Sequence, residues 1–68
     1  MTYQDRIRAL REDKDLTQKQ IADILGIAQT TYSQYELGKR PLPIDYLIVL
    51  CKYHIVSADY ILNLGSYK

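Results

Sequence analysis

Cys51 is the only cysteine, so no disulfide forms within the chain. His54 is the only histidine, and the usual structural zinc sites, which take several Cys and His, are excluded with it. No metal and no other cofactor is therefore expected. No block of like charge appears: nine Lys and Arg against eight Asp and Glu give a net charge of +1, mixed along the sequence. Bulk charge thus names no partner, where a strongly basic balance would have pointed to nucleic acid. The longest apolar run, Tyr46 to Cys51, is far too short to span a bilayer, and no membrane is expected. The start, Met1-Thr2-Tyr3-Gln4-Asp5-Arg6, is polar, so no secretory leader is expected and the cytoplasm is the natural compartment. Also missing are a Ser/His/Asp or Cys/His grouping, paired carboxylates and a glycine-rich phosphate loop. An enzyme with a small-molecule substrate is not expected.

What remains is 68 residues, 47% of them hydrophobic, which suits one small folded domain over 1–68 with its core at about 3–64. Such a domain buries little and is marginally stable alone. Seven Tyr stand where Phe and Trp are absent; tyrosine serves core edges and wet interfaces alike.

The apolar spacing predicts an all-α chain of five helices. Tyr3, Ile7 and Leu10 recur at i, i+4, i+7, giving a first helix from about Thr2 to Lys14. Arg11 falls on that apolar face and needs a carboxylate or a route to solvent. Thr17-Gln18-Lys19-Gln20 reads as a capping box, with Leu16 and Ile21 at the hydrophobic-staple positions. Ile21, Ile24 and Leu25 form the expected buried stripe of the second helix, and Gly26 ends it. A third helix, Gln29 to Leu37, follows so closely that the two must cross steeply. On it Ala28, Tyr32 and Tyr35 share one face, and Gln29, Thr30, Ser33 and Gln34 share the opposite, uncharged one. Gly38 stops this helix before the basic turn Lys39-Arg40-Pro41. Pro43 suits the first turn of a fourth helix, with Asp45 near its positive end and Ile44, Leu47, Ile48 and Cys51 as expected core. Ser57 N-caps a fifth helix through Leu64, and Gly65 to Lys68 read as a frayed tail. No strand signal, repeat or low-complexity segment is present.

The stretch from Leu16-Thr17-Gln18 through Ile21-Ala22-Asp23-Ile24-Leu25-Gly26 to Tyr35-Glu36-Leu37-Gly38-Lys39-Arg40 resembles the Cro/repressor helix-turn-helix family, also called the xenobiotic-response-element family. The likeness continues through Leu47, Leu50, Lys52 and Val56-Ser57-Ala58-Asp59-Tyr60-Ile61-Leu62, nearly the whole chain. It implies the five-helix, lambda-repressor-like fold and a transcriptional regulator, a repressor first of all, that binds double-stranded DNA. Gln29, Thr30, Ser33 and Gln34 match the family's groove-facing positions, where amides pair with adenine and small side chains meet a thymine methyl. Thr17 and Gln18 match the helix start that grips a phosphate, and Lys39 and Arg40 the loop that touches the next stretch of backbone. Arg11 and Glu36 match a buried ion pair between the first and third helices.

Some positions depart from the pattern. Ala28 stands where the family has Ser or Thr, giving up an N-cap of about 1 kcal/mol. Positions 54 and 55 are His54 and Ile55, where an aromatic or Leu followed by Gly or Asn is usual. A left-handed Ile55 would cost roughly 1–2 kcal/mol, unless the helix ends differently or a partner surface makes it worthwhile. Val49 is apolar where the family is often charged. Val49, Ile55, Val56 and Tyr60 are therefore the expected surface of a homodimer on a palindromic operator. Domains of this family also serve as protein-binding modules such as antitoxins, and that alternative stays open at the level of sequence.

Overall fold

Thr2, Thr17 and Ser57 each accept a backbone N–H from three residues ahead with a side-chain hydroxyl, and a helix begins after each. The computed structural model describes residues 1–65 and holds five helices in this order: α1 (Tyr3–Asp13), α2 (Gln18–Leu25), α3 (Gln29–Glu36), α4 (Ile44–His54) and α5 (Ala58–Ile61). No strand occurs among the described residues, and no helix there is long and apolar enough to cross a membrane. The Thr17–Gln20 capping box forms as the sequence implies. Thr2 and Asp5 make a second one, a Thr-x-x-Asp variant that the Glu/Gln pattern does not flag. The Thr2 backbone N–H and hydroxyl hold the Asp5 carboxyl below its usual range.

All five helices end alike. A left-handed residue (Asp15, Gly26, Gly38, Ile55 or Asn63) follows each, and the next N–H reaches a carbonyl five residues back. Asn63 explains why α5 stops at Ile61, short of the expected Leu64. The tail lies beyond the described residues from position 66 onward.

One core cluster draws on every helix: Ile7 and Leu10, Ile21 and Ala22, Tyr32 and Tyr35, Leu47 and Leu50, and Ile61. Two expected stripes are rotated from where the sequence suggested. In α2 the buried pair is Ile21 and Ala22, while Leu25 is half-buried and Ile24 is exposed. The small Ala22 lets α3 approach closely, which centres the contact between positions 21 and 22 and swings Ile24 outward. In α4 the buried line is Leu47, Leu50 and His54, with Cys51 half-buried. Ile44 and Ile48 lie toward its flank at about 100° per residue and are exposed. Ala28 is likewise exposed, because it is the N-cap of α3 and stands outside the helical face of Tyr32 and Tyr35.

His54 is buried at the end of α4. Its ring meets Tyr53 edge-on at 5.2 Å, and its Nδ1 has no hydrogen-bond partner. Burial, and then the charge of Lys14, push its pKa below the usual value. As pH falls, the unfolded chain therefore takes up this proton first, and stability is lost below about pH 6.5 down to the folded pKa. Between pH 7 and 5.5 the wild type should lose stability in chemical denaturation while His54→Leu stays flat; parallel curves would contradict this. Ile55, at φ 56°, is a β-branched residue in a conformation that costs roughly 1–2 kcal/mol. Ile55→Gly should raise stability by about 1 kcal/mol and the melting temperature by about 4–8 °C in dilute protein. A lower melting temperature would show that Ile55 makes packing contacts that outweigh its strain.

Candidate nucleic-acid interface

Gly26 at φ 73° turns the chain after α2, and only Gly26, Ile27 and Ala28 separate that helix from α3. The Ile27 N–H bonds the Ala22 carbonyl at 3.0 Å, closing the turn. No atom lies within 4 Å of where a Cβ on Gly26 would sit, so glycine is needed there for its backbone alone. Ala28 offers no side-chain cap, which leaves the first N–H groups of α3 uncapped.

Gln29 and Thr30 stand exposed on the first turn of α3. Ser33 and Gln34, a turn further on, are half-buried. These four side chains carry hydrogen-bond donors and acceptors without charge, so they can meet base edges in either polarity. Past Gly38, the N–H groups of Lys39 and Arg40 both bond the Gln34 carbonyl, at 2.9 and 3.4 Å. That ties the basic turn to the end of α3 while both side chains remain exposed.

Behind this ridge sits a polar knot. Glu36 of α3 accepts Arg11 Nε at 2.8 Å on Oε2 and Arg11 Nη2 at 3.1 Å on Oε1. Arg11 Nη1 donates to the Leu16 carbonyl at 2.8 Å. The Tyr32 hydroxyl also bonds this carboxylate. With Glu36 only 3% exposed and Arg11 13%, the pair is shielded from salt. Burial pushes the Glu36 carboxyl upward, but bonds from Arg11, Gln18 and Tyr32 outweigh it and hold the pKa below the usual carboxylate range. The Arg11 guanidinium is raised by its bond to Glu36. Burial, and then the neighbouring carboxylate, raise Tyr32, so its hydroxyl stays protonated and donates.

Gln18 is where the structure adds most to the sequence reading. Its Nε2 donates to Glu36 Oε1 at 3.1 Å, so it joins the knot from the first turn of α2. The second N–H of the amide remains for an outside acceptor. The Thr17 hydroxyl caps Gln20, and the Thr17 N–H is held by Gln20 Oε1 at 2.8 Å, so Thr17 shapes the helix start more than it reaches outward. Arg8 was not evident from sequence. It lines an open cleft of about 260 Å³ with Arg11, Gln18, Glu36 and Leu37. Its spacing of three from Arg11 was the available signal.

The four residues expected on a dimer surface divide. Ile55 is 84% exposed. Val49 is half-buried, and Val56 and Tyr60 pack partly against the core. The Arg6 guanidinium lies 4.1 Å over the Tyr60 ring.

Residues 7–61 match the Helix-turn-helix family model, of the Cro/C1 type. The uncharacterized HTH-type transcriptional regulator YobD of Bacillus subtilis (strain 168) is 42% identical over 62 residues, 91% of this chain and 55% of YobD. YqaE, an uncharacterized HTH-type transcriptional regulator of the same organism, is 38% identical over 61 residues, 90% of this chain and 53% of YqaE. The chain thus spans about half the length of these relatives. Among solved structures, the P22 c2 repressor protein in complex with synthetic operator 9T superimposes with a TM-score of 0.84. It is 26% identical, over 96% of this chain and 98% of the repressor chain.

Removing one member of the knot leaves a buried charge without its partner. Glu36→Gln should cost roughly 3–5 kcal/mol, a large share of the stability of a domain this size. The contribution of the wild-type carboxylate is complete above its unfolded pKa near 4.3 and is lost as pH falls through the lower folded value. Urea unfolding at neutral pH decides the matter: a midpoint unchanged by Glu36→Gln would mean that the pair contributes little.

Proposed function

Because the chain belongs to the Cro/C1-type helix-turn-helix family, we propose that it is a DNA-binding transcriptional regulator, acting as a repressor in the cytoplasm. In this reading α3 enters the major groove, and Gln29, Thr30, Ser33 and Gln34 read base edges. Gln18, Lys39 and Arg40 hold phosphates on either side and fix the register, with the start of α2 adding backbone donors. Two copies act together on a palindromic operator, one on each half-site.

The observation that carries this reading is the uncharged ridge of α3 held on a rigid base. Glu36 fastens α3 to α1 and to the first turn of α2 through bonds of 2.8 to 3.1 Å. The reading side chains are thus presented by a helix whose direction is fixed by bonds to both of its neighbours. The near-neutral charge of +1 fits a protein whose grip relies on a few placed contacts rather than on a basic field.

Selecting bound duplexes from a random pool at low salt tests the proposal. An enriched sequence is expected; no affinity for any duplex would point to a protein-binding module instead. Against the enriched site, Gln29→Ala should cost about 1–3 kcal/mol and relax preference at one position, with the melting temperature nearly unchanged. Lys39→Ala and Arg40→Ala should each weaken all sequences alike and lower the salt slope by about one unit. A selective loss on one sequence with an unchanged slope would move these residues from backbone contact to base readout.

A further inference from the structure

The core leaves one face of α4 without a partner, and that face is patterned. Ile44, Ile48, Cys51 and Ile55 follow each other at i, i+4, i+7 and i+11, the spacing of a coiled-coil seam. Ile44 is 71% exposed, Ile48 48% and Ile55 84%, and Cys51 is half-buried between them. At about 1.5 Å per residue the stripe runs about 16 Å, the full length of the helix. Beside it, seven residues apart on one flank, stand Asp45 and Lys52, both exposed. Neither is in an ion pair among the described residues.

We infer that this stripe is the self-association surface of the chain, and that two copies pair through antiparallel α4 helices. An antiparallel two-fold pairing sets Ile44 opposite the partner's Ile55 and Ile48 opposite the partner's Cys51. In that register residues on the same flank face one another across the seam. Asp45 then meets the partner's Lys52, and Lys52 meets the partner's Asp45, so both charges are matched twice by symmetry. In a parallel pairing the same flank falls on opposite sides of the seam, so Asp45 and Lys52 would not meet the partner's Lys52 and the partner's Asp45, and neither charge would be matched. The charges therefore select both the occupant, a second copy, and its direction. Opposed helix dipoles favour the same arrangement. The strained Ile55 finds its use here as the last apolar residue of the seam, at the place where glycine would relax the backbone but leave a gap. The inference rests on the proposal that two copies act together, and not on what α3 touches.

Sedimentation equilibrium of the whole chain over a concentration series reads the association directly. Wild type should pass from monomer to dimer. Asp45→Lys sets four positive charges around the seam, and Lys52→Asp sets four negative ones. Each should raise the dissociation constant about tenfold, more in low salt than in high. Mixing the two variants should restore association near the wild-type level, because every facing pair in the mixed dimer is opposite in sign. Circular dichroism checks that both variants fold, and binding to a single half-site duplex should be unchanged in both. A monomer at every concentration, variants that associate like wild type, or a mixture that fails to recover would each overturn the inference. Loss of half-site binding in wild type would instead count against the DNA-reading proposal and leave this one standing.

Discussion

One buried carboxylate organises this molecule. Glu36 lies at the end of α3 and is reached by a guanidinium from α1, an amide from α2 and a hydroxyl from its own helix. A charge buried this deeply costs several kcal/mol in desolvation unless its lone pairs are filled, and here four donors fill them. The consequence is geometric more than energetic. A hydrophobic contact tolerates sliding, whereas a bidentate guanidinium bond fixes direction and distance. Helices of eight residues have little apolar surface with which to define a crossing angle, and the polar knot supplies that definition.

The knot also explains the aromatic composition. Tyr32 is the largest side chain fully buried in the core. A phenylalanine would fill most of the same volume but leave one acceptor site on Glu36 empty. Tyr35 and Tyr46 continue the ring contacts outward, at 6.5 and 6.1 Å between centroids. Tyr3 uses its hydroxyl to accept the Leu42 N–H at 3.2 Å, fastening the loop before α4. In Tyr32 and Tyr3 the ring supplies apolar area and the hydroxyl supplies a bond.

Local chemistry made much of the fold legible from sequence. Thr17 with Gln20, Gly26, Gly38 and Ser57 each act through neighbours within a few residues, so their effect could be read without a structure. The turn chemistry of Asp15 and Asn63 is equally local but less distinctive, which is why sequence places the end of α5 at Leu64 when the helix stops at Ile61. Stripe orientation was harder. Ile24, Ile44 and Ile48 are as apolar as the residues that are buried, and only the angle at which helices dock decides between them. In the candidate site, the α3 ridge followed from the opposition of Tyr32 and Tyr35 to Gln29 and Ser33. The Arg11–Glu36 pair came from family resemblance, since 25 residues separate its members. The bond from Gln18 to Glu36 spans 18 residues and depends on one rotamer, and no pattern of spacing encodes it.

The placement of Gln18 has a consequence for how such a protein can change over time. Its amide belongs to the knot and, in the proposed complex, to the phosphate grip as well. Any substitution there alters two properties at once, and a gain in one must be weighed against the other. Lys39 and Arg40 carry no such double duty: their backbones hold the turn, and their side chains are free of the core. Drift in binding strength should therefore run through the basic turn, and drift in sequence preference through the exposed Gln29 and Thr30. Gln18 would stay fixed as the residue in which stability and recognition are inherited together.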